Sequence, residues 1–490
     1  MSQAAIIPIP YHRDSERYFS GLQNLPYSCW LDSGKPASNY GRYDIMAAMP
    51  CYRLVTEGKN TRTIRCEYEF QSQQTADTDG VGPVSRVSIS EQLESQVESD
   101  PLALLQKHID SLSSVTSEEI PFIGGAIGYF AYSLGYRRHG IVEADSVEKT
   151  MCNRQISVAS PFADMQVGIY HWAVIQDHQR QKSHLVALPE CDARLLDFVS
   201  AVLTANTFRN VGKFQTDRLN SSLTRPAYLS QLDRIHNYIL AGDCYQVNFS
   251  QQFYGRYQGN PYAAYQMLRR SMASPFSAYL QFGKQAILSL SPERFLQVKQ
   301  REVLTQPIKG TCRRAGDAHI DRQNALSLQR SEKNRAENVM IVDLLRNDLG
   351  QQCIPGSVKV ENLFALESFP NVHHLVSSVR GTLREGVTVL DLLRDCFPGG
   401  SITGAPKRRA MEIIHELEPV ARGIYCGSIG YINSRGDMDT NIAIRTVACD
   451  GEMLYCSGGG GIVADSKPAA EYQESLDKIH TILEILREGI

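Results

Sequence analysis

Residues 285–311 read QAILSLSPERFLQVKQREVLTQPIKGT. The secondary structure of this stretch distinguishes between two classes of fold that the chain could adopt. Its two parts, 285–300 and 301–311, are rich in apolar and β-branched residues and predict neighbouring strands. Helix-like periodicity occurs on both sides of them, in residues 227–243, 332–350 and 466–489. Because strands and helices interleave without a strict strand-helix-strand alternation, we predict an α+β architecture rather than a doubly wound parallel sheet.

The segment 227–257 predicts a helix that runs into a strand. Gly242 is placed to end the helix, whose apolar residues share one face. These residues are Leu229, Leu232, Ile235 and Ile239. In the strand that follows, Tyr245, Val247 and Phe249 alternate with polar residues, which predicts one buried face and one exposed face.

The composition is that of an ordinary soluble globular protein. The chain has 490 residues, of which 42% are hydrophobic and 21% charged, and its formal net charge is −3. This balance provides no field that would favour nucleic acid or an anionic membrane. The N-terminus lacks a charged segment followed by an apolar core, and the longest apolar stretch, 121–135, is too short to cross a bilayer. We therefore expect a cytoplasmic protein.

Two polar segments interrupt the pattern of strands and helices. Residues 71–100 predict a loop followed by the start of a helix, and residues 205–225 show little periodicity. A chain of this length is long for a single core. We therefore predict a boundary in the second segment, between an N-terminal region (1–215) and a C-terminal region (216–490).

Charged residues share one face of the predicted C-terminal helix. Glu471, Glu474 and Lys478 are spaced i, i+3 and i+7, which puts them on the same side of an α-helix. One interpretation is a solvated face with a Glu–Lys ion pair. The other is a site for a divalent cation such as Mg²⁺, which needs only one or two carboxylates. Glu337 is a candidate second source of ligands, or a first-turn residue favoured by the helix dipole.

Glycines and a lone arginine indicate a site for an anion. Gly458–Gly461 precede a short apolar strand, and a second glycine-rich turn opens the segment 398–419. Four ordered glycines are entropically costly, and glycine lets backbone N–H groups approach an anion closely. Arg445 stands in an apolar strand, where a guanidinium needs an anionic partner. That partner is either a ligand carboxylate or an internal Asp or Glu.

Glu293 and Lys309 are the candidates for reacting groups. Glu293 stands at a strand end beside Pro292, where a partly apolar setting would raise its pKa and suit it to general acid catalysis. The alternative is an exposed turn glutamate. Lys309 lies just after a proline and directly before a glycine, so it is either a solvated turn residue or a nucleophile.

The motifs occur in an order that resembles the chorismate-utilising enzymes. This family includes component I of anthranilate synthase and of aminodeoxychorismate synthase, together with isochorismate and salicylate synthases. The N-terminal half resembles the family more loosely, through WLDSG, YDIMAAMP and GGAIGYFAYSLG. The C-terminal motifs, in chain order, are GDCYQVNFS (242–250), SPE (291–293), PIKGT (307–311), AENVMIVDLLRNDLG (336–350), HHLVS (373–377), GGSITGAPK (399–407), YCGSIGY (425–431), IAIRT (442–446), GGGI (459–462) and EYQESLDK (471–478).

The resemblance implies two large antiparallel β-sheets packed in a central sandwich with helices outside. It also implies that the chain binds Mg²⁺ and chorismate, a cyclohexadiene with two carboxylates. Glu337 and Glu474 match direct metal ligands with Glu471 nearby, and Glu293 matches the general acid/base. Where relatives often carry a further acid, this chain has Asn334. The positions that match substrate-binding residues are Gln246, Thr311, His374, Ser401, Thr403, Tyr425, Arg445, Gly459, Gly460, Gly461 and Lys478.

Two positions distinguish members of the family. Enzymes that add water carry a lysine where this chain has Gln246, and a glutamine cannot take a proton from water. Anthranilate synthases resemble PIAGT and aminodeoxychorismate synthases resemble PIKGT, which is the sequence around Lys309. The resemblance therefore implies that Lys309, with a lowered pKa, attacks chorismate. Ammonia would then give 4-amino-4-deoxychorismate, on the route to 4-aminobenzoate and folate.

The resemblance also implies partners and leaves alternatives. No Gly-x-Cys-x-Gly motif of a glutaminase occurs in the chain, so ammonia would come from a separate glutamine amidotransferase subunit (component II). The LDSG stretch resembles the region where family members hold tryptophan, which gives a candidate pocket of Leu31, Asp32, Ser33 and Tyr43. The alternatives are anthranilate synthase component I with an unusual lysine, and a non-catalytic, amino-acid-binding regulatory homologue.

Overall fold

Two large antiparallel β-sheets form the centre of the computed structural model, which describes residues 3–35, 41–71, 86–115, 117–141, 159–205, 212–369 and 372–488. Within these ranges the strands are, in chain order, β1 (Ala5–Ile9), β2 (Cys29–Asp32), β3 (Tyr43–Ala47), β4 (Tyr52–Glu57), β5 (Asn60–Gln71), β6 (Arg86–Val97), β7 (Gly125–Phe130), β8 (Met165–Tyr170), β9 (Trp172–Asp177), β10 (Lys182–Ala187), β11 (Phe214–Thr216), β12 (Asn220–Ser221), β13 (Gln246–Gly259), β14 (Phe276–Phe282), β15 (Gln285–Ser291), β16 (Arg294–Lys299), β17 (Glu302–Gln306), β18 (Ile308–Arg313), β19 (Lys359–Ser368), β20 (Val372–Thr382), β21 (Gly404–Ala405), β22 (Ser428–Asn433), β23 (Met438–Asn441), β24 (Thr446–Cys449) and β25 (Met453–Ile462).

Each sheet combines strands from both ends of the chain. The first sheet has the order β1-β10-β9-β3-β2-β14-β15-β24-β25-β13-β11, with β12 and β21 also beside β13. The second has the order β18-β20-β17-β16-β23-β22-β7-β8-β4-β5-β6, with β19 also beside β20. Strands from before and after residue 215 thus share both sheets, and β11 spans that position. The division into regions 1–215 and 216–490 stays a prediction.

Helices cover the outer faces of the sheets. In the described residues they are α1 (Glu16–Leu22), α2 (Pro101–Asp110), α3 (Leu134–His139), α4 (Ala193–Thr204), α5 (Arg225–Leu240), α6 (Pro261–Ser271), α7 (Ala318–Arg330), α8 (Glu332–Gly350), α9 (Val389–Cys396), α10 (Lys407–Leu417) and α11 (Pro468–Glu488). One core joins the two sheets, where Ile45 and Leu280 of the first sheet and Ile127 and Tyr129 of the second are buried. Two further cores contain side chains of sheet strands and of helices. The predicted α+β sandwich is confirmed.

Prolines divide the strands predicted in residues 285–311. The structure has four strands there. β15 ends before Pro292 and β16 begins after it, and β17 ends before Pro307 and β18 begins after it. A proline has no N–H to donate to a strand ladder. β15 belongs to the first sheet and β16 to the second. Glu293 therefore lies where the chain crosses from one sheet to the other.

The structure differs from the sequence predictions for residues 244–257 and for residues 71–100. The first part of β13, residues 246–251, is buried on both faces, because the polar residues Gln246, Asn248 and Ser250 are as much in the buried class as the apolar residues between them. Tyr245 is 69% exposed and precedes the strand. β13 lies inside the first sheet with α5 and α10 against it, so its polar side chains face the interior. Residues 86–97 form the edge strand β6 rather than a loop, whereas a helix does start at the end of the predicted segment, with Asp100 as the N-cap of α2. Residues 72–85 of that predicted loop lie outside the described residues.

The described ranges contain no helix that combines the length and the apolar character needed to span a membrane.

Candidate active site

The connection between β15 and β16 holds Glu293 in the interior. The residue is 4% exposed, and its backbone is fixed because Ile442 N donates to its carbonyl oxygen at 3.0 Å. The Ser401 hydroxyl donates to Glu293 Oε1 at 2.6 Å. Burial raises the pKa of the Glu293 carboxyl, although the Ser401 hydrogen bond and the charge of Lys309 oppose the shift. The protonated form, which can act as an acid, is therefore favoured relative to a free glutamate.

The lysine of PIKGT lies within β18 and reaches the same serine. Lys309 Nζ donates to the carbonyl oxygen of Ser401 at 2.7 Å. Burial lowers the pKa of Lys309, and the carboxylates of Glu293 and Glu337 oppose this effect. Among the described residues Lys309 has no ion-pair partner. At a given pH a larger fraction of Lys309 is therefore in the neutral, nucleophilic form than for a solvated lysine.

The turn that presents Ser401 is built by close packing. Residues Gly400–Ile402 form a single 3₁₀ turn, and the Thr403 hydroxyl donates to the Gly399 carbonyl at 2.8 Å. A Cβ on Gly400 would lie 2.7 Å from Leu344 Cδ2 of α8. A side chain at this position would have to displace Leu344, so Gly400 allows close contact with the helix independently of any anion.

His374 and Thr311 face each other across the β18–β20 pair. Thr311 Oγ1 and His374 Nδ1 are 2.8 Å apart, and His374 is 2% exposed. Burial lowers the pKa of His374 to about 3, and the positive charge of Arg445 adds to the shift. The ring is therefore neutral at physiological pH.

Arg445 lies at a bend before β24, with a φ of 50°, and not within a strand as the sequence predicted. In the part of the chain that the structure describes, its guanidinium has no ion-pair partner. Burial lowers the pKa of Arg445, which the charge of Glu293 opposes. The internal Asp or Glu considered from the sequence is absent from these residues, so a ligand carboxylate would suit the group.

The four glycines lie inside β25 rather than in a loop before a strand. A Cβ on Gly458 would lie 2.3 Å from the Ser475 carbonyl of α11, and a Cβ on Gly459 would lie 2.3 Å from the Phe249 carbonyl of β13. These two glycines are required by packing. A Cβ on Gly460 would instead lie 3.3 Å from Glu474 Oε1 and 3.4 Å from Glu471 Oε2. Gly460 therefore leaves room beside two carboxylate oxygens.

Lysines accompany the three candidate metal ligands. Glu474 pairs with Lys478 at 2.8 Å, and Lys478 also donates to the Gly459 carbonyl at 2.8 Å. Burial alone would raise the pKa of the Glu474 carboxyl, but the pKa is lowered because the charge and the hydrogen bond of Lys478 outweigh burial. Glu471 accepts a hydrogen bond from Ser466 Oγ at 2.7 Å. The Glu–Lys ion pair of the first interpretation is therefore present, and the divalent-cation site of the second stays a prediction.

Lys333 is the residue that sequence reasoning missed. Its Nζ lies 3.3 Å from Glu471 Oε1 and 3.9 Å from Glu337 Oε1. Burial raises the pKa of the Glu337 carboxyl, and the lysine charges oppose this. The i,i+4 spacing of Lys333 and Glu337 was the only local signal, and it says nothing about Glu471.

Two of the predicted substrate residues stand apart from these contacts. Gln246 is fully buried, and within the described residues neither atom of its amide has a hydrogen-bond partner. A Cβ on Gly461 would lie 2.7 Å from Gln246 Nε2, so the amide faces the glycine strand. Tyr425 packs under Arg422, whose Cζ is 6.0 Å from the ring centroid. Among the described residues no hydrogen bond joins Tyr425 to Glu293 or Lys309.

The residues of the candidate tryptophan pocket do not share one face. Asp32 is buried and accepts hydrogen bonds from Tyr265 and Arg269. Leu31 alternates with it along β2 and packs with Tyr43 against the core between the sheets. The Ser33 hydroxyl donates to Asp44 at 2.6 Å. Whether tryptophan binds here stays a prediction.

In the described residues no group of three or more His, Cys, Asp or Glu side chains is close enough to hold a metal ion by itself. Mg²⁺ often binds through one or two carboxylates and keeps several waters. The oxygens of Glu471 and Glu474 beside Gly460 provide two such ligands. The residues present therefore fit a magnesium ion.

Comparison with known proteins relates the chain to one family. The family model for chorismate binding enzymes matches residues 54–484. Aminodeoxychorismate synthase component 1 of Salmonella typhimurium is 43% identical over 98% of this chain and 97% of its own length. The protein of the same name from Escherichia coli is 42% identical over 99% of both. The crystal structure of anthranilate synthase component I from Streptococcus pneumoniae has a TM-score of 0.72 and 30% identity, and the match covers 91% of this chain and 93% of that one.

Proposed function

This chain belongs to the family of chorismate binding enzymes, and we propose that it converts chorismate and ammonia to 4-amino-4-deoxychorismate. The observation that carries the proposal is the position of Lys309 beside Glu293, with Ser401 contacting both. Because one turn holds both groups, the amine can attack one carbon of a ring while the carboxyl group protonates the leaving group at another carbon. The high identity to relatives named aminodeoxychorismate synthase component 1 supports the same assignment.

Glu293 and Lys309 have complementary roles in the proposed reaction. Protonated Glu293 donates to the C4 hydroxyl, which leaves as water, because hydroxide is a poor leaving group. The neutral amine of Lys309 forms a bond to C2 as the C4–O bond breaks. Ammonia then attacks C4, and the C2–N bond breaks so that Lys309 leaves as the neutral amine. The one proton that the new C4 ammonium group loses restores Glu293. Chorismate and ammonia thus give 4-amino-4-deoxychorismate and water, with the nitrogen at C4.

We assign Mg²⁺ to Glu474, Glu471 and Glu337. When bound, the ion supplies positive charge that holds the ring carboxylate of chorismate. Gly460 keeps the space beside Glu471 and Glu474 free of a side chain. Arg445, whose guanidinium is free of ion pairs among the described residues, is the group best suited to the second carboxylate of the substrate.

The uncharged polar groups orient the substrate in this proposal. Gln246 offers a buried amide without a partner among the described residues, and such a group needs a hydrogen bond from a ligand or water. Neutral His374 is fixed by Thr311 and adds no charge that would attract a second anion. Thr403, Tyr425 and Lys478 complete the assigned substrate site.

A partner has to supply ammonia. The relatives carry the designation component 1, and we assign a glutamine amidotransferase subunit as the second component. We also propose a cytoplasmic location for the enzyme. The tryptophan pocket is tested separately by titrating the purified chain with tryptophan in a calorimeter.

The activity is tested with the purified chain, chorismate, MgCl₂ and ammonium, and the products are separated by chromatography with mass detection. We expect 4-amino-4-deoxychorismate from the wild type and a loss of at least about 100-fold, equivalent to about 2.7 kcal/mol, in Lys309→Ala. Lys309→Arg keeps the charge without the nucleophile and should be equally impaired. Fluorescent anthranilate from the wild type would instead assign anthranilate synthase. Absence of any turnover would favour the regulatory homologue.

A further inference from the structure

Lys333 connects two carboxylates that lie far apart in the sequence. It occupies the first turn of α8, one turn before Glu337, and its Nζ contacts Glu337 Oε1 at 3.9 Å and Glu471 Oε1 at 3.3 Å. Glu337 and Glu471 are among the ligands to which the proposed function assigns Mg²⁺. A cation that belongs to the chain itself thus lies among the assigned metal ligands.

The helix alone does not explain a lysine at this position. The first turn of a helix carries partial positive charge, so a cation there is unfavourable. The Lys333 side chain is 48% exposed, whereas the Glu471 side chain is 4% exposed. The lysine therefore reaches inward from a half-exposed position, and a rotation of its flexible stem would return the ammonium to water.

The two oxygens of Glu471 have different environments. Oε1 accepts from Ser466 at 2.7 Å and faces Lys333, whereas Oε2 lies next to the space at Gly460. A divalent ion held by Glu337 would lie close to the Lys333 ammonium, which is 3.9 Å from Glu337 Oε1. An ion held by Glu471 Oε2 would lie across one carboxylate from that ammonium. Both arrangements bring like charges together, and such repulsion is strong in a partly buried site.

We propose that Lys333 is a tethered cation that neutralises Glu337 and Glu471 until a divalent cation displaces it, and that it thereby lowers the metal affinity of the site. The inference rests on the proposed function, which requires a divalent cation at these residues. It adds that the affinity for Mg²⁺ is set by a residue that is not itself a ligand. Lys333 is in this sense a positioning residue for the carboxylates.

The test is calorimetric titration of the purified chain with MgCl₂ alone, for the wild type and Lys333→Met. We expect the dissociation constant for Mg²⁺ to fall about 10-fold or more in Lys333→Met. Thermal melting should show a larger Mg²⁺-dependent rise in Tm for this variant, because its metal-free form has two uncompensated carboxylates. Lys333→Arg keeps a cation and should bind Mg²⁺ about as weakly as the wild type. Lys359→Met, on the exposed strand β19, is the matched control and should also equal the wild type.

An unchanged or weaker affinity in Lys333→Met, with a wild type that binds Mg²⁺ and turns over chorismate, would overturn the role of Lys333 alone. A wild type that neither binds Mg²⁺ nor turns over chorismate would overturn the proposed function as well.

Discussion

Lys309 Nζ donates a hydrogen bond to the carbonyl oxygen of Ser401 at 2.7 Å. The hydroxyl of the same serine donates to Glu293 at 2.6 Å. One short turn therefore fixes the distance between an amine and a buried carboxyl group that lie in different strand segments. Because the turn packs against α8 through Gly400, the pair is anchored to the helix that carries Glu337.

The lowered pKa of Lys309 predicts where the rate of the reaction rises with pH. Burial is the main cause, and the amine becomes reactive as pH rises through this pKa. We expect kcat/KM for chorismate to rise with pH along a limb whose midpoint lies below the ordinary value of 10.5. Rates should be measured with free ammonia held constant at each pH, since ammonium also titrates. A midpoint at or above that of free lysine would contradict the prediction.

Ser401→Ala should change the pH dependence of the acid. The Ser401 hydrogen bond lowers the pKa of Glu293, against the raising effect of burial. Without it the pKa of Glu293 rises further, so the loss of rate that follows deprotonation of this carboxyl should begin at higher pH. Ser401→Thr keeps the hydroxyl and should restore the wild-type profile. Identical profiles for all three proteins would show that the hydrogen bond does not control the acid.

Gly460→Ala should weaken metal binding. The new methyl group would lie 3.3 Å from Glu474 Oε1 and 3.4 Å from Glu471 Oε2, within the space assigned to the ion. We expect the dissociation constant for Mg²⁺, measured by calorimetry, to rise about 10-fold or more. Gly350→Ala adds a methyl group at the end of α8 with nothing within 4 Å, and it should bind Mg²⁺ like the wild type. Equal affinity of both variants for Mg²⁺ would show that the ion does not bind beside Gly460.

Arg445→Gln should raise the KM for chorismate. A charge-assisted hydrogen bond contributes about 1.5–3 kcal/mol, which corresponds to an increase of about 10- to 100-fold. Steady-state kinetics at saturating Mg²⁺ and ammonium measure the change. Arg218→Gln, at an exposed position, is the control and should keep the wild-type KM. A change in kcat alone would assign Arg445 to the chemical step instead.

His374 predicts a loss of stability in acid. Its folded pKa of about 3 lies below the ordinary value of 6.5, so the unfolded chain binds the additional proton between these values. The stabilisation is complete above pH 6.5 and is lost as pH falls toward 3, by about 1.4 kcal/mol per unit. Between about pH 7.5 and 5, His374 should account for about 2 kcal/mol of the loss in the free energy of unfolding. Urea unfolding at these two pH values should therefore show a smaller loss in His374→Gln than in the wild type. The exposed variant His319→Gln should keep the full loss, and a parallel decline in His374→Gln would refute the assignment.

Local patterns were sufficient for several elements. The helix predicted for residues 332–350 has those bounds in the structure, because it begins after the capping residue Ser331 and its apolar residues follow helical periodicity. The α+β class followed from the same patterns. By contrast, the polar side chains of β13 suggested an exposed face that does not exist, since Ser250 bonds to Glu418, 168 residues away.

The sequence by itself determined which chemical groups are available: a carboxyl at position 293, an amine at 309 and three carboxylates at 337, 471 and 474. These depend on residue type and on an order of motifs that can be read along the chain. Only the tertiary structure decided which groups meet. Ser401 contacts Glu293 across 108 residues, and Lys333 contacts Glu471 across 138. The physical reason is that pKa shifts, ion pairs and the space at Gly460 arise from burial and contact between distant segments, which local periodicity does not encode.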